Sequence, residues 1–168
     1  MKILVLNGSP KREKSDTMEF TEYQDLLPSE ILETVHNIHA ELSAMGFTEE
    51  IKEAKSGPVL SYMKDRKVLL NYVYRKSGIK VRLYAAGIAA YEDCLAAIPD
   101  SMKTELKKAT DCKTLNGLPC TTTCPGGYTY TLDGELLKKC RSTAFLMTLN
   151  QKTAEYIQTL ILREAGER

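Results

Sequence analysis

The chain has 168 residues, of which 43% are hydrophobic and 27% are charged, a composition typical of one globular domain rather than of a disordered or fibrous protein. Lys and Arg number 23 against 22 for Asp and Glu, so the net charge gives no reason to favour nucleic acid or a membrane surface as a partner. No apolar run approaches the roughly 18 residues of a membrane span, and the apolar start is too short for a signal peptide. We therefore expect a cytoplasmic protein whose five cysteines are reduced thiols or metal ligands rather than disulfides.

The first six residues are mostly apolar and lead into the polar sequence NGSP, which predicts a buried strand followed by a tight turn. The segment LNGSPKREKSDTM resembles the first strand and phosphate loop of the flavodoxin-like NAD(P)H-dependent FMN reductases. Hydroxyls, backbone N–H groups and a cation after a strand suit a phosphate dianion. The resemblance covers residues 1–18 and implies an FMN phosphate site at Ser9, Lys11, Ser15 and Thr17. The alternative is a sheet strand with a polar turn that binds nothing.

An amphipathic helix is predicted from Ser29 to about Met45, because apolar residues recur there at helical spacing and Gly46 can end the helix. His36 and His39 lie three residues apart on this helix, a spacing that can bring two imidazoles to one metal ion. No HExxH-type motif accompanies them, so surface positions are the expectation. Residues 47–56 are predicted to form a short helical or irregular connection.

The stretch from 57 to 86 predicts three short strands joined by two tight turns. In its third run the apolar Ile79, Val81 and Leu83 alternate with polar residues, as in a strand with one buried face. We expect an antiparallel meander with amphipathic helices on its apolar face, and hence an α+β fold. The polar face is a candidate surface for an anion or nucleic acid, with a merely solvated face as the alternative: Arg75, Lys76, Lys80, Arg82 and Tyr84.

Two further helices are predicted after the meander, one ending at Pro99 and one from Asp100 to Ala109. Cys94 falls on the apolar side of the first helix and is expected to be a small core residue. Farther along, Asp133-Gly134 between two short runs predicts a β-hairpin. A strand over 143–149 and a final amphipathic helix capped by Asn150 complete the prediction.

The segment 112–140 carries four of the five cysteines in the pattern C-x7-C-x3-C-x15-C, with Pro-Gly-Gly directly after the third. Four thiolates satisfy a tetrahedral zinc site, and glycines let backbone N–H groups approach the sulfurs. Three interpretations stay open: a structural zinc site, unligated thiols, and a redox or disulfide function. The zinc interpretation names Cys112, Cys120, Cys124 and Cys140.

Residues 29–165 resemble, in the order of their elements, the TfoX/YjbR-like α+β domains of unknown function. We accordingly divide the chain into an N-terminal flavodoxin-like fragment, 1–18, and one α+β domain, 19–168, with a cysteine-rich insertion at 112–140. Two functional hypotheses follow. The first is a non-enzymatic cytoplasmic domain that binds a small ligand or a protein partner and carries a structural zinc ion. The alternative is an FMN-dependent NAD(P)H oxidoreductase that uses the N-terminal phosphate loop.

Overall fold

The computed structural model describes residues 18–168. The predicted N-terminal strand and phosphate loop, with Ser9, Lys11, Ser15 and Thr17, lie outside the described residues. The described part contains helices, a five-stranded sheet and a two-stranded sheet, which confirms the predicted α+β fold.

The described residues form seven strands: β1 (Thr48–Lys52), β2 (Val59–Lys64), β3 (Lys67–Arg75), β4 (Gly78–Leu83), β5 (Tyr128–Leu132), β6 (Glu135–Lys139) and β7 (Leu146–Thr148). The larger sheet is antiparallel throughout and has the strand order β1-β2-β3-β4-β7. Its first four strands are consecutive in the chain, whereas β7 comes from near the C-terminal end and pairs with β4. The smaller sheet is the hairpin β5-β6.

The α-helices of the described residues are α1 (Phe20–Gln24), α2 (Ser29–Ala44), α3 (Glu92–Ala97), α4 (Asp100–Lys108) and α5 (Ala154–Gly166). Helices α2 and α5 pack against each other, and α5 also contacts the centre of the sheet at β3. On the apolar face of the sheet, Leu70 lies opposite Leu83 and Tyr72 lies opposite Val81, and all four side chains are fully buried. Helix α4 packs beside β7, and α3 contacts both β5 and α5.

The alternation predicted for the third strand of the meander is confirmed. Ile79, Val81 and Leu83 are buried, while Lys80 and Arg82 between them are half-buried. The prediction of a helical or irregular segment at 47–56 was wrong, because residues 48–52 form the edge strand β1 paired with β2. Only Ile51 of this strand is buried, so its sequence carries little apolar pattern, and the backbone pairing decides its conformation.

The ends of two predicted elements also differ. The strand expected over 143–149 is shorter, with only Leu146–Thr148 in the sheet. The last helix begins at Ala154 rather than directly after Asn150. Asn150 still shapes the approach to this helix, because its side-chain oxygen accepts a hydrogen bond from the Lys152 N–H at 2.9 Å and its carbonyl accepts one from the Ala154 N–H at 2.9 Å.

Candidate functional site: the cysteine-rich hairpin and its cavities

The hairpin β5-β6 forms the second half of the cysteine-rich segment 112–140 and anchors that segment to the domain. Its turn residues Asp133 and Gly134 have φ values of 51° and 78°, the positive values that a two-residue hairpin turn requires. On the inner side of β5, Tyr128 and Tyr130 are buried against Phe145, with ring centroids 5.8 and 5.0 Å away. The hairpin is therefore fixed to the domain core through aromatic contacts.

The first and last cysteines of the segment are brought together by backbone pairing. The Cys112 N–H donates to the Lys138 carbonyl at 2.8 Å, and the Cys140 N–H donates to the Thr110 carbonyl at 2.7 Å. Between these bonds, Asp111 and Lys139 form an isolated bridge and an ion pair of 2.7 Å. Since side chains alternate along a strand, Cys112 and Cys140 lie on the face opposite this ion pair, diagonal to each other.

Gly127 lets the chain cross directly over Cys112. A Cβ atom at Gly127 would lie 2.1 Å from the Lys139 carbonyl oxygen and 2.8 Å from the Cys112 sulfur, distances that no side chain can occupy. Cys112 is buried, with its sulfur under this glycine. The second glycine after Cys124 is therefore needed for a close approach, as its place beside the cysteines in the sequence suggested.

The other three cysteines line one cavity of about 370 Å³, together with Tyr84 and Arg141. Cys120 is exposed, whereas Cys124 and Cys140 are half-buried, and all are free thiols. The Cys140 sulfur lies 3.3 Å from the Ser142 hydroxyl oxygen. The Thr121 backbone N–H, followed by the neighbouring Cys124 thiol, lowers the pKa of the exposed Cys120 thiol, so the Cys120 and Cys124 side chains are neighbours in this cavity.

Within residues 18–168, no group of three or more His, Cys, Asp or Glu side chains is gathered tightly enough to hold a metal ion as it stands. Cys120, Cys124 and Cys140 share a cavity, and Cys112 lies behind Gly127. The zinc set thus stays a prediction about four thiols that the fold brings to one region. Cys94 stands apart on α3, half-buried against the domain core.

On the polar face of the meander, several of the candidate cations already form hydrogen bonds within the protein. Lys80 donates to Glu105 at 2.7 Å and to the Thr148 hydroxyl at 2.9 Å. Arg82 donates to the Ser142 carbonyl at 3.0 Å, and the Arg75 guanidinium donates to the Tyr74 carbonyl at 3.0 Å. These contacts hold the two β4 cations within the fold. Of the other candidates, Lys76 is exposed, and Tyr84 faces the cysteine-lined cavity.

A second cavity, of about 610 Å³, shares Tyr84 and Arg141 with the first. One wall is built around Glu164, which is only 1% exposed. Its carboxylate accepts hydrogen bonds from the Ala86 N–H at 3.1 Å, the Gly87 N–H at 3.0 Å, the Tyr91 hydroxyl and the Arg168 Nε at 3.0 Å. Burial, helped by this hydrogen bond to the carboxylate, raises the pKa of Tyr91 well above its ordinary value.

Arg168 forms part of the same wall, and its two terminal nitrogens donate to the Val68 and Tyr84 carbonyls. The buried hydrogen bonds of Glu164 were not predicted from the sequence. The only sequence signal is the i,i+4 spacing of Glu164 and Arg168, which is common on solvent-facing helix surfaces and does not by itself indicate burial.

The two histidines of α2 each have another partner. His39 Nδ1 lies 2.8 Å from the Tyr62 hydroxyl, and its ring stacks on Phe20 with centroids 3.8 Å apart. His36 Nε2 lies 2.5 Å from the Gln24 side-chain oxygen. Both rings therefore help to attach the α1 segment to α2 and the sheet.

Comparison of the chain with known protein families, with curated proteins and with solved structures found no match. The flavodoxin-like and TfoX/YjbR-like resemblances accordingly stay predictions from the sequence. In the part of the chain that the structure describes, none of the helices is both long enough and apolar enough to cross a membrane.

Proposed function

We propose that the described domain is a non-enzymatic ligand- or partner-binding domain whose cysteine-rich segment is closed by a structural zinc ion. The ligands would be Cys112, Cys120, Cys124 and Cys140. The observation that carries the proposal is the convergence of these thiols, three on one cavity and the fourth under Gly127. Soft thiolate ligands favour zinc among the common divalent metals, and four of them satisfy its tetrahedral preference.

The loop that carries Cys120 and Cys124 supports a structural role for the metal. Residues 117–127 form no helix or strand, and most of their side chains are exposed, so burial of apolar surface contributes little to holding them. Thiolate coordination would supply the missing free energy, as in small domains whose folding depends on zinc. Gly117 and Gly126, with φ values of 73° and 87°, give the loop the conformations needed to bring its sulfurs to about 2.3 Å from a metal.

The test is the metal content of purified, reduced protein, measured by inductively coupled plasma mass spectrometry. We expect one zinc per chain, and we expect a chelator to lower the melting temperature. Cys124→Ser should lose the metal and melt at a lower temperature. Cys94→Ser is the matched control, because Cys94 lies on α3 outside the cysteine-rich segment, and it should keep the metal. Reduced protein without stoichiometric metal, or equal melting of the two variants, would contradict the proposal.

The placement of Cys120 and Cys124 as neighbours in one cavity, with the pKa of the Cys120 thiol lowered, favours a second candidate, a dithiol that is oxidised to a disulfide. A low-molecular-weight disulfide would be the oxidant: its S–S bond breaks as the Cys120–Cys124 bond forms, and it leaves as two thiols that carry the two electrons and the two protons. Incubating metal-free protein with glutathione disulfide and counting thiols distinguishes the two. Loss of two thiols that Cys120→Ser prevents supports the redox function, and five unchanged thiols exclude it.

The FMN-dependent alternative rests on the N-terminal resemblance alone. It predicts that the full chain retains FMN after excess cofactor is removed, with an absorbance band at about 450 nm. A chain that retains no flavin would leave the segment 1–18 without this role.

A further inference from the structure

The guanidinium of Arg141 lies against two aromatic rings and has no polar partner among the described residues. Its guanidinium carbon lies 5.7 Å from the Tyr84 ring centroid and 5.2 Å from the Tyr128 ring centroid, so two aromatic rings fix its position. Among residues 18–168 it makes no ion pair or side-chain hydrogen bond, unlike Arg82 and Arg168. A guanidinium has five N–H donors in a fixed fork that matches a carboxylate or phosphate. The two rings therefore hold Arg141 in place while its N–H donors have no hydrogen-bond acceptor among the described residues.

The charges around Arg141 favour an anion. Lys67, an exposed residue at the start of β3, lines the same 610 Å³ cavity, and within the described residues it has no ion-pair partner. Glu164 is already compensated by Arg168 and by its other donors. The remaining acidic group is Glu167, which is exposed. Among the described side chains that line this cavity, two cations, Arg141 and Lys67, therefore stand without a partner against one acidic group, Glu167.

We propose that this cavity binds a small ligand through a phosphate or carboxylate group, with Arg141 as the bidentate donor and Lys67 as the second cation. The volume lies within the usual range of small-molecule sites, about 300–1,000 Å³. A single fork and one lysine suit one anionic group, whereas nucleic acid needs a stripe of basic residues. The inference rests on the proposed ligand-binding function and names the ligand class. It also moves the binding surface away from Lys80 and Arg82, whose donors are engaged within the fold.

The two anion chemistries can be separated by titrating the full chain with inorganic phosphate and, in a second arm, with succinate, by isothermal calorimetry at low salt. We expect saturable binding of at least one anion that weakens as ionic strength rises. Arg141→Gln should weaken it about tenfold or more, the usual loss for a charge-assisted hydrogen bond. Lys67→Gln, at an exposed site where folding is not at risk, should weaken it by a smaller factor.

The matched control is Arg163→Gln, which removes the same charge from an exposed position on α5 outside the cavity and should leave binding unchanged. Binding of phosphate alone identifies a phosphorylated ligand, and binding of succinate alone identifies a carboxylate. The inference is overturned if neither anion binds, or if Arg141→Gln and Lys67→Gln both bind like Arg163→Gln.

Zinc content measured on the same samples keeps this inference separate from the metal proposal. Anion binding by protein that holds no zinc supports the anion site in the cavity and contradicts the zinc proposal. Zinc-loaded protein that binds neither anion contradicts the anion site and supports the zinc proposal.

Discussion

Replacing Glu164 should destabilise the domain far more than its place near the end of α5 suggests. One carboxylate oxygen accepts from the Ala86 N–H and Arg168 Nε, and the other accepts from the Gly87 N–H and the Tyr91 hydroxyl. In Glu164→Gln, one of these oxygens becomes an NH₂ group. An NH₂ group at Oε1 would face two donors, the Ala86 N–H and Arg168 Nε. An NH₂ group at Oε2 would face the Gly87 N–H, while the Tyr91 hydroxyl can turn to accept from it.

The cost follows from the burial of the group, which is 1% exposed. Removing one partner of a buried ion pair typically costs about 3–5 kcal/mol. Because the Arg168 side chain is 16% exposed and regains some hydration, we expect the lower end of that range, about 3 kcal/mol. For a chain of this size, we expect a fall of roughly 10 °C in the melting temperature. Tyr91→Phe deletes only one of the donors and should cost about 1 kcal/mol.

Urea unfolding followed by circular dichroism measures these differences, with Glu167→Gln as the matched control. Glu167 is exposed and lies next to the same helix end, so its replacement should change the free energy of unfolding by less than about 0.5 kcal/mol. A free energy of unfolding for Glu164→Gln within that margin of the wild type would refute a stabilising role for the buried carboxylate. An order in which Tyr91→Phe costs more than Glu164→Gln would equally refute it.

Two further predictions concern the cysteine-rich crossing and α4. Gly127→Ala should lower the free energy of unfolding by more than about 2 kcal/mol, because its Cβ would overlap the Lys139 carbonyl. Gly126→Ala meets only the strain of its positive φ and should lower the free energy of unfolding by less. Equal losses for the two variants in urea unfolding would contradict this. Burial alone would raise the pKa of Glu105, but hydrogen bonds from Lys80 and Thr148 outweigh it and lower that pKa. The stabilisation by Glu105 is therefore present above the unfolded pKa of about 4.3 and is lost as pH falls through the lower folded value. Glu105→Gln should consequently be less stable than the wild type at neutral pH and lose less stability on acidification, and parallel pH profiles would count against it.

The parts of the fold that sequence predicted are those set by local pattern. Strict alternation in β4 and the Asp133-Gly134 turn each specify a conformation within a few residues, and the structure confirms both. β1 was missed because its strand conformation depends on pairing with β2, while its own residues bury only Ile51. Periodicity in sequence reports which side of an element is apolar, and it does not report which distant strand will lie beside it.

The same limit applies to the candidate site. The four clustered cysteines were identifiable from residue type and spacing alone. The role of Arg141 was not, because it depends on two tyrosines, Tyr84 and Tyr128, that are far away in the chain and adjacent in space. Lys80 and Arg82 were predicted to lie on the polar face, as they do, but sequence could not show that Glu105 and Ser142 engage them.

Strand β7 is synthesised long after β4, the strand with which it pairs, and this order affects folding during synthesis. Lys80 and Thr148 are opposite each other in the sheet but 68 residues apart in the chain. As a ribosome releases the chain, β1 to β4 can pair with their immediate neighbours at once, whereas the outer edge of β4 waits for the whole cysteine-rich segment to follow. During that interval its backbone groups are open to pairing with other nascent chains, and the alternating charges of Lys80 and Arg82 are of the kind that discourage such association. We therefore expect Lys80 and Arg82 to discourage edge pairing of β4 in the growing chain, before they bond Glu105 and Ser142 in the folded protein.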